Sequence, residues 1–272
     1  CSGWMDKGYL KAAKSFKKRI PVILSLDNHW TGSLKQKLVA ATASLHLRKT
    51  FSHAWVPGHP QAVYARKLGF DGQNLLLNFY CADAPLFDEQ YQRTFSEKRK
   101  KLPKQFLYVA RYVEHKGIFE MWQAFEELKK EYPNEWGLLC LGTGEEWDNR
   151  VEGEGIQHIG FVQPEELEQY VAASSVYILP SKFEPWGVSV QEFAISGFPL
   201  LLSTAIGSQE EFLNKNTGWS FKAGDVAEIK QQMKAIMEMD EATLIKMGEE
   251  SHKTGMAYTN EEWAQRLLAL KK

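Results

Sequence analysis

Short apolar runs alternate with stretches of helical spacing along almost the whole sequence, and that alternation constrains the fold more than any single residue. Residues 21–26, 54–56 and 75–77 read as buried strands, with helical periodicity over 33–49 and a helix over 60–68 between them. The rhythm resumes with strands predicted at 106–110, 137–141, 156–159, 176–179 and 200–203. Helices are predicted from 118 to about 130, over 165–173, from about 188, over 225–238 and over roughly 261–270. Repetition of this kind predicts α/β units with parallel sheets, which bind ligands at the carboxyl ends of their strands. Between the two series, residues 84–104 change character. Pro85 and Pro103 bracket a polar stretch that includes the run Lys98, Arg99, Lys100, Lys101. It reads as a partly helical connection, with the basic run as a solvated face.

Composition narrows the class. The 272 residues are 44% hydrophobic and 25% charged, which suits a globular chain rather than a disordered or fibrous one. No run of about 18 apolar residues occurs, so no spanning helix is expected. No basic segment followed by an apolar one opens the chain, so no signal peptide is expected. Cys1, Cys81 and Cys140 are far apart, without CxxC or a Cys/His cluster, which points to a reducing, cytoplasmic setting. Cys140 lies in an apolar run and reads as a small buried hydrophobe.

Charge is unevenly distributed. Ten lysines and arginines precede residue 51 against only Asp6 and Asp27, a surplus of eight, so the rest of the chain carries −9 to reach the overall −1. That split predicts an anionic partner, substrate or membrane surface for one end. Residues 5–18 fit an amphipathic helix, with Met5, Tyr9, Ala12, Ala13 and Phe16 at helical spacing and Lys7, Lys11, Lys14 and Lys18 on another face. Such a helix either covers a sheet with its lysines solvated or meets an anionic acceptor or the inner membrane face.

Two loops carry residues suited to phosphate chemistry. The first, 111–117, lies between a strand and a helix and contains Arg111 and Lys116, a fork of donors and a point charge that suit a diphosphate. The second runs from Glu184 to Glu192. Gly187 permits close backbone approach, the N–H groups of a helix opening near Val188 can receive phosphate oxygens, and Glu192 can accept hydrogen bonds from sugar hydroxyls. No D-x-D, H-E-x-x-H or Cys/His ligand spacing occurs, so no metal site is predicted, and the absence of G-x-S-x-G leaves serine hydrolysis unsupported.

Taken in order, Arg111 and Lys116, Gly142-Thr143-Gly144, Ile159-Gly160-Phe161-Val162, Leu179-Pro180-Ser181, the Glu184/Glu192 pair, Gly197-Phe198-Pro199 and 203–207 resemble a known set. Residues 103–272 look like the C-terminal lobe of a retaining, nucleotide-sugar-dependent glycosyltransferase of the GT-B fold, in the family-four group (glycosyl transferases group 1). The resemblance implies two Rossmann-like lobes with parallel sheets. It implies that Arg111 and Lys116 hold the donor diphosphate, that N–H groups near Gly187 and Val188 cap it, and that Glu192 binds the ribose. Glu184 would contact the transferred sugar, and Phe161 and Val162 would lie along the nucleobase. The donor would be a UDP- or GDP-linked sugar, used as substrate and with no further cofactor. The acceptor would be a glycan or lipid-linked glycan of polysaccharide biosynthesis, and no nucleic acid is expected.

On the acceptor side a histidine often follows the first-lobe strand that here ends at Leu26. This chain has Asp27 there and His29 two residues on, and either residue is a candidate for acceptor positioning or proton transfer. The family's opening strand and Gly-rich loop have no counterpart, so residues 1–83 match the second half of the first lobe. The implied division is a partial acceptor-side lobe with linker over 1–102, a nucleotide-sugar lobe over 103–255, and a helix crossing back over 256–272. Two other readings compete: a nucleotide-sugar-binding module without catalysis, and a sugar-nucleotide epimerase, for which the necessary additional acid–base groups are not found.

Overall fold

The computed structural model describes residues 1–270. The chain divides into two compact units, 1–81 with 258–272, and 82–257.

In the first unit, α1 (Lys7–Phe16), β1 (Ile23–Ser25), α2 (Leu34–Thr50), β2 (His53–Trp55), α3 (His59–Lys67) and β3 (Leu75–Leu76) follow in turn. The three strands form a parallel sheet in the order β1-β2-β3. Local chemistry sets the helix starts. The Asp6 side chain accepts from the Tyr9 N–H, and Ser33 accepts from the Gln36 N–H, each satisfying an otherwise orphaned donor. The core gathers Leu24, Leu26, Leu47, Phe51, Ala54, Val56, Leu68 and Phe70.

The second unit opens with α4 (Ala84–Lys100) and continues through β4 (Gln105–Val109), α5 (Ile118–Glu131), β5 (Gly137–Leu141) and β6 (Ile156–Gly160). It then adds α6 (Glu168–Ala172), β7 (Val176–Leu179), α7 (Val188–Ile195), β8 (Leu200–Ser203), α8 (Gln209–Phe212), β9 (Gly218–Phe221), α9 (Val226–Met237) and α10 (Glu241–Gly255). Six parallel strands lie in the order β6-β5-β4-β7-β8-β9. Strands β5, β7 and β8 are buried at every position, as apolar runs without polar alternation require when helices cover both faces. The last helix, α11 (Asn260–Leu268), belongs to the first unit: the Trp263 ring stacks on Trp55 at 4.9 Å and its indole N–H donates to the Phe79 carbonyl at 2.8 Å.

The connection expected over 84–104 is instead helix α4, part of the second unit. Asp83 caps it and Pro85 sits in its first turn, where a missing N–H is harmless. Phe87, Tyr91 and Phe95 recur at steps of four and are buried, which fastens α4 to that unit and moves the division from 102 back to 81. The basic run is not uniformly solvated. Arg99, Lys100 and Lys101 are exposed, but Lys98 continues the buried stripe. Strand β9 and helix α10 had no sequence expectation.

Candidate functional site

Strand order builds the site. From β4 the chain adds β5 and β6 on one side and β7, β8 and β9 on the other, so the loops leaving the carboxyl ends of β4 and β7 lie side by side. Their contact is tight. The His115 carbonyl accepts from the Lys182 N–H at 2.8 Å and from the Phe183 N–H at 3.3 Å. Gly117, at φ +70°, closes the first loop, and a Cβ there would stand 2.1 Å from the Pro180 carbonyl oxygen. Only glycine allows both that backbone conformation and that approach. The β5 loop is fitted in the same way: a Cβ on Gly142 would lie 2.0 Å from the Ala110 oxygen, and one on Gly144 would lie 2.3 Å from the Tyr112 oxygen.

Around this switch point the structure gathers most of the second-unit residues singled out from sequence. Arg111 follows β4, is exposed, and its guanidinium has no partner among the described residues. Lys116 is mostly buried and pairs with the Glu184 carboxylate, also mostly buried. Backbone bonds hold Glu184 in place. Its N–H donates to the Ala205 carbonyl at 3.3 Å, and its own carbonyl accepts from the Gly207 N–H at 3.0 Å.

Three residues on, Gly187 takes φ +90° and opens α7. No side chain caps this helix, and the N–H groups of Gly187, Val188 and Ser189 have no acceptor among the described residues. Free N–H groups and the positive end of a helix dipole form an anion site. Glu192 lies one turn further along α7. Burial pushes its carboxyl up to about 7, and it has no hydrogen-bond or ion-pair partner among the described residues. A carboxyl in such a place has both oxygens available to accept hydrogen bonds.

Phe161 and Val162 are not part of this cluster. They follow β6, the sheet's edge strand, two strands away from β4, and Phe161 is 67% exposed. Asp27 and His29 belong to the first unit. There Asp27 lines a cavity of about 550 Å³ with Asn28, Gln36, Tyr64, Phe79 and Tyr80, and accepts from the Tyr80 hydroxyl at 3.2 Å. His29 is not among the lining residues, and its carbonyl accepts from the Gln36 amide at 2.9 Å.

Sequence reasoning missed Lys182. It pairs with Glu114 at 3.3 Å and Glu120 at 3.0 Å, bracing the first loop and the start of α5 against the second loop. A lysine in a loop carries no local signal for such a role, because both partners come from a distant segment.

Two α/β units with parallel sheets, alike in fold to solved glycosyltransferases, make this a protein of the GT-B fold. The sequence description of the glycosyl transferases group 1 family matches residues 90–254, and the chain belongs to that family. It is 26% identical over 152 residues to a glycogen synthase of Mycobacterium tuberculosis, an alignment covering 53% of this chain and 36% of the relative. It is 25% identical over 147 residues to the 2-deoxystreptamine N-acetyl-D-glucosaminyltransferase of Niallia circulans, covering 50% of this chain and 37% of that one. The chain thus matches little more than a third of the length of either curated relative. Among solved structures it resembles Anabaena Alr3699/HepE in complex with UDP, with TM-score 0.76 and 16% identity over 97% of this chain and 76% of that chain.

Proposed function

We propose that this chain acts as a retaining glycosyltransferase, moving a sugar from a nucleotide-sugar donor to a glycan or lipid-linked acceptor in polysaccharide biosynthesis. The observation that carries the reading is the convergence of Arg111, Lys116 and the uncapped N-terminus of α7 at the β4/β7 switch point. Family membership and the UDP bound by the Anabaena relative support the same ligand class.

In this reading the donor diphosphate sits against the N–H groups of Gly187 and Val188, with Arg111 and Lys116 as counter-charges. As the glycosidic bond breaks, negative charge grows on the leaving nucleoside diphosphate, and these fixed donors stabilise it. Lys116 is held by Glu184 until a donor arrives and then divides its charge between carboxylate and phosphate, which places Glu184 against the transferred sugar. Glu192 accepts hydrogen bonds from the ribose, and Phe161 and Val162 flank the base. Attack on the face that the leaving group vacates retains the anomeric configuration. In the first unit, the cavity with its aromatic walls suits a sugar ring of the acceptor, and Asp27 or His29 positions the hydroxyl or takes its proton.

Titration calorimetry with UDP, GDP and UDP-glucose tests the donor site. Lys116→Ala and Glu192→Ala should each weaken nucleotide binding about tenfold or more, the usual loss when a charge-assisted bond is removed. Unchanged affinity in both variants overturns the assignment. Release of nucleoside diphosphate from the donor by this chain separates a transferase from a module that binds nucleotide without turnover.

A further inference from the structure

Of the two cations assigned to the donor diphosphate, Lys116 is held by Glu184, whereas the Arg111 guanidinium has no partner among the described residues. The reach of an unpaired arginine is set by the backbone that carries it. At Arg111 that backbone is fixed on both sides. The Tyr108 hydroxyl, on β4, donates to the Arg111 carbonyl at 3.0 Å. The Tyr112 N–H donates to the Thr143 carbonyl at 3.0 Å, and the Tyr112 carbonyl accepts from the Glu146 N–H at 3.0 Å. The residue after Arg111 is thereby tied to the loop leaving β5.

The Tyr112 side chain is anchored one strand further out. It is fully buried, with the rings of Trp122 on α5, Trp147 in the β5 loop and His158 on β6 centred 5.4, 5.3 and 5.8 Å away. Its hydroxyl lies 2.9 Å from His158 Nδ1, and His158 Nε2 lies 2.9 Å from the Val151 carbonyl. A carbonyl only accepts, so Nε2 carries the proton of the neutral ring. Nδ1 is then an acceptor, and the Tyr112 hydroxyl donates to it. Burial holds the Tyr112 phenol far above its ordinary range, so the hydroxyl keeps the proton it donates. The other neighbour of that hydroxyl is the buried Cys140 thiol, a weaker partner.

Packing by itself does not call for these polar groups. An apolar side chain at 158 would fill the space beside Trp122 and Trp147, and a phenylalanine at 112 would fill the same ring position. What the polar groups add is direction, since a hydrogen bond fixes an angle where ring contacts allow sliding. The series Tyr112, His158, Val151 carbonyl runs from the loop that carries Arg111, past β5, to the edge strand β6.

We propose that His158 is a positioning residue of the donor site: through the Tyr112 hydroxyl it holds the backbone at 111–112 where the Arg111 guanidinium meets the diphosphate. The inference rests on the reading of Arg111 as a diphosphate ligand and adds to it a residue that acts through Tyr112, not by touching the donor.

A double-mutant cycle read by titration calorimetry with UDP and GDP, using whichever binds the wild type more tightly, provides the test. Arg111→Ala should weaken binding about tenfold or more. Tyr112→Phe, which removes only the hydroxyl, and His158→Leu should each weaken it roughly threefold to tenfold, the range of one hydrogen bond. His158→Asn should regain most of the wild-type affinity, because the asparagine oxygen can stand where Nδ1 stood and accept from Tyr112; a side chain needed only for packing would not be rescued by a smaller one. In the Arg111→Ala background Tyr112→Phe should cost nothing further, since no guanidinium remains to be aimed. Tyr112→Phe keeps the ring and its packing, so the cycle stands even where His158→Leu unfolds the chain. An equal loss from Tyr112→Phe with and without Arg111, or wild-type affinity in Tyr112→Phe, overturns the inference and leaves the donor reading in place. Unchanged affinity in Arg111→Ala overturns the assignment of Arg111 and the inference with it.

Discussion

Lys98 is the residue at which the physical reasoning is most exposed to measurement. It is 2% exposed, its ammonium has no hydrogen-bond partner among the described residues, and it stands 3.8 Å from the centre of the Phe198 ring. Burial drives its pKa from 10.5 down to about 7. An unfolded lysine therefore takes its proton near pH 10.5 and the folded one only near pH 7. Between those values the unfolded state binds more protons, so stability rises with pH across the window. At about 1.4 kcal/mol per pH unit, the protonated folded state is disfavoured by about 5 kcal/mol, and at pH 7 by about 4 kcal/mol. The aromatic face returns up to about 2 kcal/mol to the cation when both are desolvated, which leaves a net penalty of about 2–3 kcal/mol at neutral pH. Lys98→Met keeps the packed stem and removes the charge, so it should stabilise the second unit by that amount. At roughly 2–4 °C per kcal/mol, its Tm should rise by about 5–10 °C. Urea unfolding followed by circular dichroism from neutral to alkaline pH measures both features. The advantage of the variant should be largest at and below pH 7 and vanish towards pH 10.5. A variant no more stable than the wild type, or an advantage independent of pH, refutes the account of a desolvated ammonium.

Other outcomes follow from the site. Burial holds Glu192 near pKa 7, so if it accepts ribose hydroxyls as a carboxylate, as proposed, nucleotide affinity should fall as pH drops through about 7, by up to tenfold per pH unit; calorimetry should show Glu192→Gln weaker and flat in pH. Gly117→Ala places a methyl group on the Pro180 oxygen at a positive φ, so it should cost about 2–4 kcal/mol in denaturant titration and weaken nucleotide binding as the two loops are forced apart. Lys182→Ala removes a brace that touches no proposed ligand group, so it should lower stability by no more than about 1 kcal/mol and reduce affinity by less than Lys116→Ala; a larger loss of affinity would place Lys182 in direct contact with the donor.

Much of the fold was legible because parallel strands buried on both faces leave an unmistakable trace. The all-apolar run at 137–141 and its equivalents at 176–179 and 200–203 match β5, β7 and β8. Helix α4 shows where such reading fails. The prolines that bracket it, Pro85 and Pro103, and its basic run look like a connection, and the stripe of Phe87, Tyr91 and Phe95 becomes evident only when the unit that buries it is present. Lys98 is the sharpest instance, since a lysine among lysines reads as solvated until its neighbours are known. Strand β9 and α10 escaped because Gly218–Phe221 is half exposed and α10 is largely polar.

Residue order alone carried the α/β class, the family resemblance and the identity of the two loops, because these depend on spacing along the chain. It could not establish that the loops touch. That follows from β4 and β7 being neighbours while β5 and β6 lie on the far side, an arrangement that only the folded sheet displays. The same assembly set apart Phe161 and Val162 just beyond the edge strand, paired Lys116 with Glu184, and largely desolvated the Glu192 carboxyl without giving it a partner among the described residues. Each of these is a property of the surroundings rather than of the residue, since proximity and desolvation arise only when distant segments are packed together.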